Sequence, residues 1–315
     1  GTIPVSVSGM TAIQDLRLFG NDLTGIIPNV IASLPALGSL YLHENSFTGS
    51  LDDAFASSAL NKLNVEDNSL TGTVPSSLVL TNFGYFAMND FTGTFPAALC
   101  SGGASYTVDC DLVCTCCTSC AEAPSFSPTQ SPSNRPSNIP SNIPSFLPTS
   151  LPSVSPSVLQ SEQTALAALY AATDGPNWSP TPAGWDATGA VCDGPATGTI
   201  TCTNGFVTKI NLTGYNLVGT LPSELVYLTS LETIFMNTNS ISGTVPVDIF
   251  NSLPALVEIR LNDNAFTGTI SDLSNLSTVE KMWIGGSSLT GTIPVSVSGM
   301  TAIQDLRLFG NDLTG

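Results

Sequence analysis

The sequence predicts an α/β solenoid, a stack of short coils with a parallel β-sheet running along one face. Three observations carry that prediction. One pattern of apolar residues, asparagine, glycine and proline recurs at spacings of 23 to 25 residues. Inside each repeat, apolar residues two apart alternate as one face of a short strand does. Finally, Gly1 to Gly25 return without a change as Gly291 to Gly315. Homologous repeats drift while keeping their apolar pattern, so an unchanged copy points to a tandem array with a unit of 290 residues.

The repeat is legible position by position. From Val207 onward apolar residues fill positions 1, 4, 6 and 11, asparagine often fills 9, glycine 13, and an apolar–proline pair 15 and 16. Leu231, Ile234, Met236, Asn239, Ile241, Gly243, Val245 and Pro246 follow it throughout. Further coils start at Leu256, Val279 and Ile303, and the last matches the coil at Ile13. The pattern continues through Leu37 and Leu60 to an irregular coil near Thr81 that ends in Gly93, Phe95 and Pro96. Reading through the duplication gives eight coils per unit. Positions 4 and 6 point inward, Asn at 9 bonds backbone groups where the ladder ends, Gly at 13 allows a sharp bend, and Pro at 16 stops the strand resuming. A single coil cannot bury its own apolar edge, so coils need neighbours or caps.

These residues, Leu-x-x-Leu-x-Leu-x-x-Asn-x-Leu-x-Gly-x-Ile-Pro in outline, resemble the plant-type leucine-rich repeat. The resemblance covers Val207 to Gly315 and Gly1 to Leu99. It implies a right-handed superhelix with the parallel sheet on its concave face. The segment Glu162-Gln-Thr-Ala-Leu-Ala-Ala-Leu-Tyr, with Trp178, Trp185, Cys192 and Cys202, looks like that family's cysteine-paired amino-terminal cap. Leu166, Leu169 and Tyr170 lie at helical spacing and give an apolar stripe to lay over the first coil. The cysteine-rich stretch from Cys100 to Cys120 looks like a carboxy-terminal cap with more cysteines than the common plant version, similar to algal extracellular relatives.

Five segments follow. Residues 1–99 form the second half of one solenoid, 100–122 a cysteine-rich cap, 123–160 an extended Pro/Ser linker, 161–206 an amino-terminal cap, and 207–315 the first half of the next solenoid. As the chain runs, both ends cut through the fifth coil, which predicts raw apolar edges that covalent continuation into further copies would cover. Gly1 is not taken as the true start, so a signal peptide is not judged.

Cys192 and Cys202 stand apart, while Cys100, Cys110, Cys114, Cys116, Cys117 and Cys120 crowd together. Even numbers suit a fully paired disulfide framework, and six cysteines allow 15 pairings. The alternative, a metal held by the clustered thiolates, is set against three sequons and the Ser/Pro tract, which favour an oxidising compartment. The sequons begin at Asn177, Asn211 and Asn275, the first weakened by Pro180. Secretion or cell-surface display is expected. A net charge of −17, from 24 acids against 7 bases, excludes a nucleic-acid backbone as partner, and no apolar run is long enough to cross a bilayer.

From Pro124 to Pro156 proline falls at every fourth residue, each followed by Ser or Thr. Such a stretch has no helical future and would span up to ~100 Å as polyproline II, at 3.1 Å per residue. It reads as a spacer. Alternatively, Ile139, Ile143, Phe146, Leu147, Leu151, Val154 and Leu159 dock it along the flank of a neighbouring solenoid.

Catalysis is not expected. His43 is the only histidine, and no nucleophile triad, metal-ligand set or phosphate loop is present, so neither an enzyme nor a cofactor is predicted. The outward strand positions say more. Lys209, Arg260, Lys281, Arg307, Arg17 and Lys62, six of the seven bases, fall at positions 3 or 5. Position 5 reads Phe235, Arg260, Trp283, Arg307, Tyr41 in successive coils, a cation–π ladder worth about 0.5–1 kcal/mol per exposed contact. Position 3 reads Glu258, Lys281, Asp305, a charge ladder worth only tenths of a kcal/mol per pair. Either the ladder closes on itself and protects the open sheet, or Phe235, Arg260, Trp283, Arg307, Arg17 and Tyr41 form a recognition surface for a peptide, a neighbouring linker or an acidic polysaccharide. A glycan on Asn211, at position 5 of the first coil, would crowd one end of that face.

The function expected is structural: a tandem array in a surface fibre, cell coat or adhesive matrix, whose partners are further copies of itself, covalent in tandem and lateral through the linker. The alternative is a receptor-like or adhesion module holding a peptide or glycan on the concave face. A minor alternative is ice binding by the recurring Thr-Gly-Thr bends, for example Thr267 to Thr269 and Thr290 to Thr292.

Overall fold

The computed structural model describes residues 1–51, 55, 59–76, 78–101, 104–115, 117, 119–121, 158–180, 185, 192 and 199–314. Its spine is one sheet of twelve strands. From one end these are Ile200–Thr203, Phe206–Asn211, Thr233–Phe235, Glu258–Arg260, Lys281–Trp283 and Asp305–Arg307. Then come Asp15–Arg17, Ser39–Tyr41, Lys62–Asn64, Phe83–Tyr85, Ser105–Asp109 and Ser119–Ala121. Neighbours are parallel except Ile200–Thr203, which runs antiparallel to Phe206–Asn211.

The coil strands are only three residues long because each coil has just one inward side chain between two outward ones. Ile234, Ile259, Met282, Leu306, Leu16, Leu40 and Leu63, all at position 4, are buried, and so are Met236, Leu261, Ile284, Leu308, Leu18, Leu42 and Val65 at position 6. Each such side chain contributes roughly 1.5–3 kcal/mol by leaving water. After position 6 the chain turns, and the ninth residue stitches the turn. Asn45 Nδ2 donates to the carbonyls of Leu42 and His43 in its own coil and of Leu18 in the preceding one, while its Oδ1 accepts from the backbone N–H of Leu23. Asn68, Asn239, Asn264 and Asn311 repeat the arrangement. The amide thereby satisfies backbone groups that no sheet ladder reaches.

A second layer of short parallel strands runs along the other flank, as one five-stranded and one four-stranded sheet. Among the described residues, helical structure there is confined to short 3₁₀ turns and the single turn Val247–Phe250. Glycine at position 13 has a packing reason as well as a backbone one. Gly268 has φ of 79°, and a Cβ on it would come within 3.1 Å of Thr244 Cγ2 in the preceding coil. The exposed threonines of these bends thus rest their methyls on the glycine of the next coil.

The predicted raw edges do not occur. Asp305–Arg307 pairs in parallel with Asp15–Arg17, so the two copies of the duplicated coil stack on one another and join both halves into one solenoid. Asn21 crosses the seam as the other asparagines cross ordinary junctions: Nδ2 donates to Leu308 O and Oδ1 accepts from Leu313 N–H. The coils share one inward pattern and one asparagine position, so the junction between the two copies uses the same strand pairing and the same side-chain bonds as the others.

Both ends of the sheet are capped. The cap helix Val158–Ala172 begins three residues before the expected boundary at 161, two residues past Pro156, where no proline obstructs it. It buries Leu166 and Leu169, as the spacing predicts, and also Glu162, only 2% exposed, whose carboxylate accepts the N–H of Val207. Burial raises the Glu162 pKa and this hydrogen bond opposes the rise. Trp178 and Trp185 stack edge to face beneath the helix, donating to Thr173 O and Thr199 Oγ1. Cys192 is bonded to Cys202. At the far end Cys110 pairs with Cys120 and Cys114 with Cys117, Cys100 is also disulfide-bonded, and Cys116 lies outside the described residues. The carboxy-terminal cap adds two strands to the long sheet, which its cysteine content did not foretell. The prolines from 124 to 156 also lie outside the described residues.

Candidate functional site

Position 5 of the long sheet, joined at one end by Lys209 from position 3, forms a ladder of cations and rings. Lys209 Nζ lies 4.9 Å from the Phe235 ring centre, and the Arg260 guanidinium 4.4 Å from Phe235 and 4.1 Å from Trp283. Arg307 sits 3.7 Å from the other face of Trp283, and Arg17 lies 4.8 Å from Tyr41. Parallel pairing brings Phe235, Arg260, Trp283, Arg307, Arg17 and Tyr41 into one row, as the sequence predicts, with one difference. Both copies of the duplicated arginine are present, so Arg307 and Arg17 are neighbours where a single arginine was expected.

Each arginine is tied to the acid two residues before it, the nearest residue on the same side of its own strand. Arg17 donates from Nε and a terminal nitrogen to the two oxygens of Asp15, both at 2.9 Å, and Arg307 does the same to Asp305 at 2.8 and 2.7 Å. Arg260 holds Glu258 Oε1, which Lys281 approaches to 4.0 Å. The hydrogen bond that Arg17 donates to Asp15 raises the Arg17 pKa against the effect of burial. With Nε and one terminal nitrogen held by the acid and their faces stacked on rings, the arginines are held in place. The face therefore offers ring edges and the arginines' remaining donors, while Trp283 Nε1, Thr233 Oγ1 and Asn262 Oδ1 are buried with no hydrogen-bond partner.

Position 7 carries a second row that the sequence reading missed. Phe309 stacks on Phe19 at 4.8 Å with an interplanar angle of 3°, and Phe19 stacks on His43 at 4.3 Å and 11°. Tyr41 meets His43 edge-on, Phe83 lies 6.0 Å from Tyr41, and Phe83 stacks on Tyr85 at 4.7 Å. Burial lowers the His43 pKa, with Glu44 and Asp67 opposing. Aligning position 7 of consecutive coils would have shown Phe19 and His43 together; Phe309 required knowledge of the seam.

The three sequons differ in setting. Asn211 is half-buried in its strand with Oδ1 accepting from the Thr213 N–H, Asn177 Nδ2 donates to both Asp174 oxygens, and Asn275 is exposed. Among the described residues no group of three His, Cys, Asp or Glu is arranged to hold a metal, and no helix is long and apolar enough to cross a membrane.

No family model matches the chain. Three Arabidopsis thaliana proteins are similar to parts of it. Receptor like protein 22 is 36% identical over 102 residues, covering 31% of this chain and 13% of that protein. Receptor-like protein 6 is 35% identical over 77 residues, covering 24% and 8%. A leucine-rich repeat receptor-like serine/threonine-protein kinase, RGI4, is 48% identical over 44 residues, covering 14% and 4%. The chain thus spans no more than about an eighth of the length of these relatives. Among solved structures, the BIR2 ectodomain from Arabidopsis thaliana is 26% identical with a TM-score of 0.44, over 49% of this chain and 82% of that one. The BIR3–SERK2 complex from the same plant gives 25% identity and a TM-score of 0.43, over 48% and 82%.

Proposed function

We propose that this leucine-rich-repeat solenoid, a secreted or cell-surface chain with disulfide-paired caps, is a recognition module that holds an extended peptide along its concave sheet and acts by binding, without catalysis. The observation that carries the reading is the position 5 ladder. Its arginines are immobilised by their own acids, so the rings between them meet a ligand already ordered, and little side-chain entropy remains to be lost on binding. Trp, Tyr and Arg are the usual anchors of such surfaces. The N–H groups that Arg17, Arg260 and Arg307 do not spend on their acids suit the carbonyls of a peptide backbone, which presents one per residue. The names of the similar plant proteins, receptor-like in three cases, agree with this reading.

The unchanged duplication favours a second reading, a repeating unit of a fibre or coat built from tandem copies. Recognition is preferred because the ordered position 5 ladder and the receptor-like names of the similar plant proteins both support it. Selection from a displayed peptide library tests it. The parent chain should enrich a family of related sequences, and Trp283→Ala combined with Tyr41→Ala should lower their capture at least tenfold without lowering the melting temperature by more than a few degrees. No enrichment by the parent, or equal capture by the double variant, dismisses the reading.

A further inference from the structure

Beside the aromatic half of the sheet, where the chain enters the strands, lies an open groove of about 590 Å³. Its size falls in the range of about 300–1,000 Å³ usual for small-ligand sites. The groove follows position 2 of successive coils, which reads Gln14, Gly38, Asn61 and Asn82. Backbone hydrogen bonds link these four residues in order, so the row is fixed. In the other half of the solenoid the same row reads Glu232, Val257 and Glu280, with a side chain at every step.

Gly38 opens the gap, and neither its backbone nor its packing demands glycine. It is absent from the glycines with positive φ. A Cβ added to it would meet only Asn61 Nδ2 at 3.4 Å and Gln14 O at 3.8 Å, ordinary contact distances. The glycines at Gly9 and Gly299 differ, since a Cβ there would run into the backbone of the neighbouring coil. A glycine without a structural reason, set in a row of long side chains, leaves space for something else.

The lining indicates what that is. Gln14, Asn61 and Asn82 are exposed planar amides, and their only described side-chain hydrogen bond is the one Asn61 Oδ1 accepts from Thr81. Ser39 and Thr81 add hydroxyls. Asp15 is held by Arg17, whereas Lys62 makes no ion pair among the described residues. Phe83, paired in register with Lys62, offers a ring at the rim. A peptide would need apolar sockets for alternate side chains, and here Ala36 is the only apolar side chain in the lining. Amides and hydroxyls that each donate and accept, one cation and a flanking ring instead complement a ring of hydroxyls bearing a carboxylate.

We propose that this groove binds a short oligosaccharide of uronic-acid type, its hydroxyls taken by Gln14, Asn61 and Asn82 and its carboxylate by Lys62. The site is separate from the position 5 ladder and does not depend on the peptide reading. Calorimetric titration of the 315-residue chain with tri-galacturonate, with neutral galactotriose and with triglutamate tests it. Tri-galacturonate should bind, galactotriose about fivefold more weakly through loss of one charge-assisted contact, and triglutamate not measurably. Lys62→Met should remove the difference between the two saccharides. Gly38→Gln, which restores the side chain that Gln14 carries, should weaken both at least tenfold; Asn61→Ala should do the same, should Gly38→Gln fail to fold. Trp283→Ala should leave saccharide binding unchanged. Absence of saccharide binding, affinity indifferent to Gly38→Gln and Asn61→Ala, or tighter binding of triglutamate overturns the proposal.

Discussion

Gly1 to Gly25 and Gly291 to Gly315 share every residue but not their neighbours. Both copies form the same 3₁₀ turn, Val5–Gly9 and Val295–Gly299, and the same strand, Asp15–Arg17 and Asp305–Arg307. Gly20 and Gly310 take φ of 63° and 60°. Each arginine grips its own aspartate. The outward faces nevertheless diverge: Arg307 lies on Trp283 and Arg17 on Tyr41, while Phe19 is stacked on both sides and Phe309 is recorded against Phe19 alone. The coil is thus fixed by its own residues, whereas the binding character of its face is set by the coils on either side.

The sharpest way to break this comparison is at the asparagine staples. Asn311 bonds Ile284 O, Leu308 O and Leu289 N–H across a covalently continuous junction; Asn21 makes equivalent bonds across the seam. Asn311→Ala and Asn21→Ala should each cost about 3 kcal/mol, since several buried backbone groups lose partners. Denaturant titration checks this. A cost at Asn21 less than half that at Asn311 would show that the seam is not an ordinary junction.

The glycines come next. A Cβ on Gly9 would lie 2.6 Å from Ser298 O, and one on Gly299 2.5 Å from Ser274 O, in both cases backbone that cannot step aside. Gly9→Ala and Gly299→Ala should each destabilise by about 1–3 kcal/mol through overpacking, read as matched falls in melting temperature. A tolerated Gly9→Ala would mean that the seam yields where the continuous junction does not.

Smaller effects separate the faces. Trp283→Ala should cost about 1 kcal/mol by unstacking Arg260 and Arg307, and Tyr41→Ala less, because Arg17 stands farther from its ring. The smallest effect is in pH dependence. Burial lowers the folded pKa of His43, so its neutral form favours the fold. That contribution is complete above the ordinary histidine pKa and is lost as pH falls through the lowered folded value. His43→Phe should keep the Phe19 stack and flatten the melting temperature on the acid side of pH 6.5. An unchanged acid limb would place the titration elsewhere.

Much of this architecture is visible in the residues. The inward set at positions 4 and 6, Asn at 9 and the Cys192–Cys202 clasp are local patterns that repeat or stand alone, and they need no knowledge of long-range placement. Position 5 was legible for the same reason, since stacking turns sequence period into spatial adjacency. What escaped depended on partners distant in sequence. The Arg307–Arg17 adjacency and the Phe309–Phe19 stack exist only because the two halves meet. Glu162 reads as a solvated helix charge until Val207 is placed above it. The strands of the carboxy-terminal cap were masked by their cysteines, and the groove is made by what Gly38 lacks, which pattern matching does not weigh.

A junction that accepts its own duplicate without altering a bond has a bearing on how such a chain changes length over generations. Gain of one whole coil keeps the backbone ladder and the asparagine bonds of an ordinary junction, as the seam shows, so slippage during gene copying meets little folding barrier at that point. Variation in coil number among descendants is then nearly neutral for stability, and it shifts only which rings and cations come to lie side by side.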